Sequence, residues 1–350
     1  MTHVDNRTAD ALLTGLVEHY SPSTEEHAAV AYLVNQMDHL GLEAEIDAVG
    51  NAVGTLGEGD RTILLLGHID TVPGFIEVRQ EGRQLYGRGT VDAKGPLAAF
   101  VAAAARAGSR TQKRIVVVGA VEEEAATSKG ARWLLERLSP DAVVIGEPSG
   151  WDRITVGYKG RLLVDYTLHR EIGHTAGPDD GVCDEAFTFW SKVRDYARVH
   201  NEGVPRLFDQ LSPSLRTMRS ERDGFTGSAA LTLGFRLPPN IEIDELEAQL
   251  CEMAGEATLR FRGREPAYHA SKATPLARSL IKAIYAEGGQ ARFTVKSGTS
   301  DMNVVGPVWR CPILAYGPGD STLDHTPHEH IDLDEYHRAI AVLTRALVEI

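Results

Sequence analysis

Three short apolar runs limit what this chain can fold into. Thr62–Gly67 (TILLLG), Ile115–Val121 (IVVVGAV) and Ala142–Gly146 (AVVIG) are too short for helices and offer almost no polar face. Runs of this kind read as strands buried on both sides, which is the signature of a parallel sheet sandwiched between helices. The chain between them supplies helices, an Ala-rich one over Leu97–Ala107 and another over Gly130–Leu138. Strand–helix–strand alternation predicts an α/β domain with a mixed, largely parallel sheet covered by helices. Upstream, Ser23 followed by Glu26 reads as a capping box opening a helix that ends near Leu40, before Gly41.

The pattern changes after about Gly157. Arg161–His169 and Ala229–Arg236 alternate like half-exposed strands, and between them an aromatic amphipathic helix near Asp184–Val199 carries Phe187, Trp190, Val193 and Ala197. A helix after Asp244 and a strand at Thr258–Arg262 complete a small α+β layer of ferredoxin-like type. At Thr274-Pro275, a good cap and first-turn pair, the α/β style returns. A helix runs to Gly288-Gly289, strands follow near Arg292–Val295 and Ile313–Tyr316, and Asp332 with Glu335 opens a last helix. The expected organisation is one α/β domain over residues 1–157 and 272–350, interrupted by an inserted α+β domain over 158–271.

Charge and cysteine usage narrow the function classes. With 36 Lys+Arg against 49 Asp+Glu the formal net charge is −13, which argues against nucleic-acid and anionic-membrane partners. Cys183, Cys251 and Cys311 are scattered and form no C-x-x-C pair, so neither a disulfide scaffold nor a Cys-based zinc module is expected. The start, MTHVDNRTAD, lacks the basic and apolar regions of a signal peptide, and the longest apolar stretch is about half a membrane span. These features predict a soluble cytoplasmic protein.

The chemistry-bearing residues stand at the ends of the buried runs, where open α/β sheets bind ligands. His68 and Asp70 follow the first run two residues apart, so in extended chain they project to one side. His68 suits a metal ion and Asp70 suits an imidazole-orienting carboxylate, although such pairs are commonly just hydrogen-bonded. Asp92 lies in Gly87-Arg88-Gly89-Thr90-Val91-Asp92-Ala93-Lys94-Gly95, which alone would read as an N-capping turn. Glu122-Glu123-Glu124 follows the second run directly, where adjacent glutamates can divide metal ligation and general-base work. Glu147 ends the third run in Gly146-Glu147-Pro148, and Asp324-His325-Thr326-Pro327-His328-Glu329-His330 is a His-rich turn. Together these imidazoles and carboxylates form the hard N/O ligand set of a hydrolytic Zn²⁺ pair, or of Co²⁺ or Mn²⁺ in its place.

Taken in order, the five blocks resemble the dinuclear zinc amidohydrolase family that includes acetylornithine deacetylase, succinyl-diaminopimelate desuccinylase and glutamate carboxypeptidase. The resemblance covers nearly the whole chain and implies a lid and dimerisation role for the inserted domain. It implies two Zn²⁺ per subunit, replaceable by Co²⁺, with His68 and Asp92 as ligands, Asp92 bridging both ions and Asp70 orienting His68. Where the family has Asp-Glu-Glu this chain has Glu122-Glu123-Glu124, which assigns the general base to Glu123 and a metal ligand to Glu124. Glu147 and His325 complete the second and first metal environments, with His328, where the family often has Asn, as a competing ligand. Gly173-His174-Thr175-Ala176-Gly177-Pro178 is similar to the segment whose His reaches across a dimer to polarise the scissile carbonyl. Leu233-Gly234-Phe235-Arg236-Leu237-Pro238 looks like the family's Asp-x-Arg-x-Pro strand with Gly234 in place of Asp, so Arg236 would clamp a substrate carboxylate. Gly298, Thr299 and Asp301 stand in a loop similar to the one that contacts substrate.

One branch fits best. Val91-Asp92-Ala93-Lys94-Gly95-Pro96-Leu97, Lys159-Gly160-Arg161 and the 297–303 segment look like the lysine-biosynthetic hydrolases. These release lysine, and in some cases ornithine, from the γ-carboxyl of the terminal Glu of an amino-group carrier protein. The competing readings are an N-acyl amino acid deacetylase or metallo-dipeptidase acting on free small molecules, and a metal-free binding relative. Carriers of this pathway are acidic, so the arginine groups 260, 262, 264 and 216, 219, 222 are candidate docking points, with solvated surface as the bland alternative.

Overall fold

The computed structural model describes residues 4–171 and 181–350, which fall into two units: residues 4–157, 270–295 and 300–350, and residues 158–171 and 181–269 with 296–299. In the first unit the sheet order is Glu43–Ile46, Ala52–Leu56, Arg114–Ala120, Thr62–His68, Ala142–Gly146, Ile313–Ala315, Arg153–Tyr158. Its four central strands, from Arg114–Ala120 to Ile313–Ala315, run parallel, and antiparallel neighbours flank them on either side. The apolar runs are thus the centre of the sheet, buried along nearly their whole length. The edge hairpin Glu43–Ile46 and Ala52–Leu56 carries no such run and was not anticipated.

Helix Lys94–Ala107 explains its own composition. Twelve of its residues are buried, because it lies between the sheet and the helices Asn6–Glu18 and Leu333–Glu349. A helix enclosed on all sides must be apolar all round, and Ala allows close approach to three neighbours at once. The sheet reciprocates with glycine. A Cβ on Gly67 or Gly119 would press on Leu97, and one on Gly146 would stand 2.9 Å from the Phe100 ring and 3.0 Å from Gly67 Cα. That glycine row brings the helix down onto the strands beside the residues of interest.

Two of the three expected helix caps form. Thr274 accepts from Ala277 N–H and Asp332 from Asp334 and Glu335 N–H, as expected of caps. The helix after Ser23, in contrast, begins at His27 with no side-chain cap. Ser23 Oγ instead donates to Asp70 Oδ2 at 2.7 Å, and Glu26 Oε1 accepts from the backbone of Thr24 and Glu122. Both residues serve the strand ends rather than their own helix.

In the second unit Gly160–Glu171, Val182–His200, Ser212–Arg222, Thr226–Leu237, Ile243–Ala254 and Thr258–Glu265 follow one another as β-α-β-β-α-β. The antiparallel sheet is ordered Ser212–Arg222, Thr226–Leu237, Gly160–Glu171, Thr258–Glu265, the ferredoxin-like arrangement. Leu162, Val164, Tyr166 and Leu168, with Leu231, Leu233 and Phe235, face the two helices. The long helix contributes Ala186, Phe189, Val193 and Ala197, and Tyr166 stacks on Phe189 with centroids 4.7 Å apart. Phe187 points outward at 64% exposure, so the inward stripe is one residue out of phase with the aromatic at 187. Two of the candidate docking arginines are occupied: Arg262 pairs with Asp165, and Arg264 with Asp244 and Glu247.

Gly146→Ala is expected to destabilise the protein by about 1–3 kcal/mol through overpacking against Phe100 and the Gly67 backbone. Urea unfolding should show a lower midpoint with an unchanged slope.

Candidate metal centre

Register places the chemistry. Thr62–His68 lies between Arg114–Ala120 and Ala142–Gly146, with His68 opposite Ala120 and Gly67 opposite Gly146. The three strands therefore end level. His68 closes the first, Glu122, Glu123 and Glu124 come just past the second, and Glu147 is the residue after the third. Asp92 sits just before helix Lys94–Ala107, which the glycine row holds against the same edge, and the Asp92–Ala93 peptide bond is cis.

One carboxylate joins two imidazoles. Asp92 Oδ1 is 3.1 Å from His68 Nε2, and Asp92 Oδ2 is 2.9 Å from His325 Nε2. His325 Nε2 is also 2.9 Å from Glu124 Oε1. His68, Asp92 and Glu124 offer ligand atoms that all lie within 4.8 Å of one another. Glu122 and His325 both hold positive φ, 59° and 60°, a backbone form that bulky residues adopt only where surroundings impose it. Glu122 turns elsewhere, accepting from Thr127 Oγ1 at 2.7 Å and pairing with Lys129, while Glu123 is buried among the acids.

Asp70 does more than face an imidazole. His68 Nδ1 donates to the Asp70 backbone carbonyl at 2.9 Å and lies 3.5 Å from its carboxylate. The carboxylate itself accepts the N–H groups of Glu123 and Glu124, each at 3.0 Å. It therefore fixes the loop carrying both glutamates, and burial, which opposes its charge, is outweighed by bonds from His68, Ser23 and that loop.

The electrostatics are those of crowded acids. Burial, then Asp301, Glu147 and Glu124, pushes the Glu123 carboxyl well above the usual range, though His68 opposes this. Burial and Asp92 do the same to Glu147. Burial, with Asp92 next, also raises Glu124. Asp92 is held low despite its burial by the bonds to His325 and His68. His325 is pushed up to about 11 by Asp92 and Glu124. Two imidazoles and several carboxylates converging on one point, with unfavourable charge repulsion between the acids, fit hard divalent cations, which would relieve that repulsion.

Asp301 is buried in the first turn of helix Asp301–Trp309 and bears electrostatically on Glu123. Arg236 Nη1 donates to Thr299 Oγ1 at 2.7 Å, and that hydroxyl donates to the Lys159 carbonyl at 3.0 Å. Gly298 has open space where a Cβ would stand. His328 is exposed and outside the ligand group. His174 and its segment lie outside the described residues. Gly234, where the resemblance would put Asp, is overlain by Arg216, whose Nε would be 2.5 Å from a Cβ there. Glu329 and Lys159 stand in quoted motifs without a role of their own, and Glu26 was expected only as a helix cap. Lys159 is fully buried, and its ammonium donates to Leu207 O, Gln210 O and Ser212 Oγ.

The model of peptidase family M20/M25/M40 matches residues 64–349. A LysW-lysine hydrolase of Deinococcus radiodurans is 45% identical over 99% of this chain and 98% of its own. A LysW-lysine/LysW-ornithine hydrolase of Saccharolobus islandicus is 31% identical over 98% and 96% respectively. Among solved structures, an M20 family metallo-carboxypeptidase from Sulfolobus solfataricus superposes with a TM-score of 0.82 at 18% identity, covering 97% of this chain and 98% of that one.

Lys159 yields a pH test. Burial, with Arg236 adding to it, pushes its ammonium down to about 8 from 10.5. Between those values the unfolded chain holds a proton that the folded chain has released, so stability rises with pH across that window. In urea unfolding, the stability of wild type relative to Lys159→Met should rise from pH 8 towards pH 10; a constant difference would contradict the depressed value.

Proposed function

The chain belongs to peptidase family M20/M25/M40, and on that footing we propose that it is a metal-dependent amide hydrolase acting on the carrier protein LysW. It releases L-lysine, and in some settings L-ornithine, from the γ-carboxyl of the carrier's terminal Glu, in lysine and arginine biosynthesis. The observation that carries this reading is Asp92 set between His68 and His325, in a chain whose relatives over almost its whole length are named for that hydrolysis. Two Zn²⁺ ions, exchangeable for Co²⁺, are proposed as the resident metals, with His68, Asp92, Glu124, Glu147 and His325 as ligands.

A bound pair of such ions supplies an activated water and a Lewis-acidic contact for the amide oxygen. Glu123 is the proposed base. Its buried carboxyl, raised by neighbouring acids, takes the proton from that water and returns it to the departing α-amine. His174, supplied across a homodimer, donates to the oxyanion as the family resemblance implies. Arg236, ordered by Thr299, holds the carboxylate of the released amino acid, with Gly298 beside it, and Asp301 answers the substrate's side-chain ammonium. Phe187, exposed on its helix, supports a subunit contact. Arg216, Arg219 and Arg222, which have no ion pair to a carboxylate among the described residues, are the proposed docking group for an acidic carrier. No helix of the described residues is long and apolar enough to cross a membrane, and we place the reaction in the cytosol.

Hydrolysis of LysW-linked lysine should exceed that of acetylornithine and succinyl-diaminopimelate under the same conditions; faster turnover of either free compound would replace this reading with the deacetylase or desuccinylase one. Glu123→Gln should lower kcat by about 10²–10⁴-fold while metal content, measured by elemental analysis, stays at the wild-type level. Arg236→Ala should act chiefly through kcat/KM, and unchanged kinetics would remove Arg236 from the site.

A further inference from the structure

A fully buried carboxylate outside the proposed ligand set ties two of its parts together. Glu329 is 0% exposed and lies four residues after His325. Its Oε1 accepts the backbone N–H groups of Gly89 and Val91, each at 3.0 Å, and of Asp92 at 3.1 Å. Its Oε2 accepts from Arg88 Nη1 at 2.7 Å, and Arg88, 6% exposed, also donates from Nε to the Gly74 carbonyl at 2.9 Å. The Gly87 N–H reaches the Glu329 carbonyl as well. Five hydrogen bonds, four of them from backbone N–H groups, therefore tie the loop that carries Asp92 to the segment that carries His325.

We infer that Glu329, held by Arg88, is a positioning residue that sets the Asp92 carboxylate between the two imidazoles and so determines metal affinity. This rests on the dinuclear reading above. The physical case is geometric. A carboxylate shared by two ions must present one oxygen to each side, and Asp92 does so, Oδ1 towards His68 and Oδ2 towards His325. Its side chain has few torsions, so its aim follows its backbone, and its own N–H is one of the three that Glu329 holds. His325 is half exposed and stands at a positive φ that its surroundings must hold. The buried anchor four residues on is what keeps that turn in register with the Asp92 loop. Charged acceptors make short, strong bonds to backbone donors, and a single carboxylate here satisfies three donors of one loop.

The test measures zinc affinity directly, by competition with a chromophoric chelator, alongside kcat and KM. Partners that orient metal ligands typically change affinity by about 10–100-fold when lost, and Glu329→Gln should weaken zinc binding by that order. KM for carrier-linked lysine should hold, and excess zinc should restore much of kcat. Glu329→Asp, which keeps the charge but withdraws it by one methylene, should show the same loss and serves if Glu329→Gln does not fold. Leu343→Ala, a core change in helix Leu333–Glu349, is the control for general destabilisation. Equal zinc affinity in wild type and Glu329→Gln, or an equal loss in Leu343→Ala at matched thermal stability, would overturn this inference alone. Wild-type protein that takes up no zinc would overturn the metal reading with it.

Discussion

Carboxylates repel, and this protein gathers them at one edge of a sheet. Two unit charges about 4 Å apart interact by about 4 kcal/mol at an effective dielectric near 20, so Asp92, Glu123, Glu124 and Glu147 cannot share that edge without compensation. Part comes from the imidazoles of His68 and His325. The rest is architectural: the strands end level, the glycine row seats a helix tightly behind them, and each loop is tied from outside the cluster. Asp70 holds the Glu123–Glu124 backbone, Glu26 holds Glu122, and Glu329 holds the Asp92 loop. Three further acids thus act as acceptors for main-chain donors, which keeps the repelling groups from relaxing apart.

The second unit shows how a departure from a family pattern can be read physically. Glycine at 234 removes the carboxylate that the resemblance would put on that strand, and Arg216 lies across the space. Two residues further along the strand, Arg236 is bonded to Thr299, and Lys159 is buried and donates to carbonyl oxygens. Cationic side chains therefore collect in this part of the second unit, although the chain as a whole is strongly acidic.

Much of this was legible in the amino-acid sequence because it depends on local pattern. Buried parallel strands announce themselves as unbroken apolar runs, and the Thr274 and Asp332 caps follow from residue type alone. The ligand candidates were visible because a charged residue directly after such a run has few structural reasons to be there. What could not be read depends on contacts across the chain. Ser23 and Glu26 had the spacing of a capping box, but the side chains turn to Asp70 and Glu122, and nothing near them in sequence says so. Phe187 looked like a core residue because it is aromatic, while the inward stripe runs through Ala186 and Phe189. Glu329 sits in a turn full of polar residues, and its burial comes from a loop 240 positions away.

That separation along the chain has a bearing on biogenesis. His325 lies 201 residues beyond Glu124, so during synthesis the three acidic loops and His68 exist long before the imidazole and the anchor that complete them. A nascent chain that has not reached residue 325 holds these acids without the imidazole that stands 2.9 Å from both Asp92 and Glu124. The compensation of their charge is therefore among the last features of the fold to be assembled.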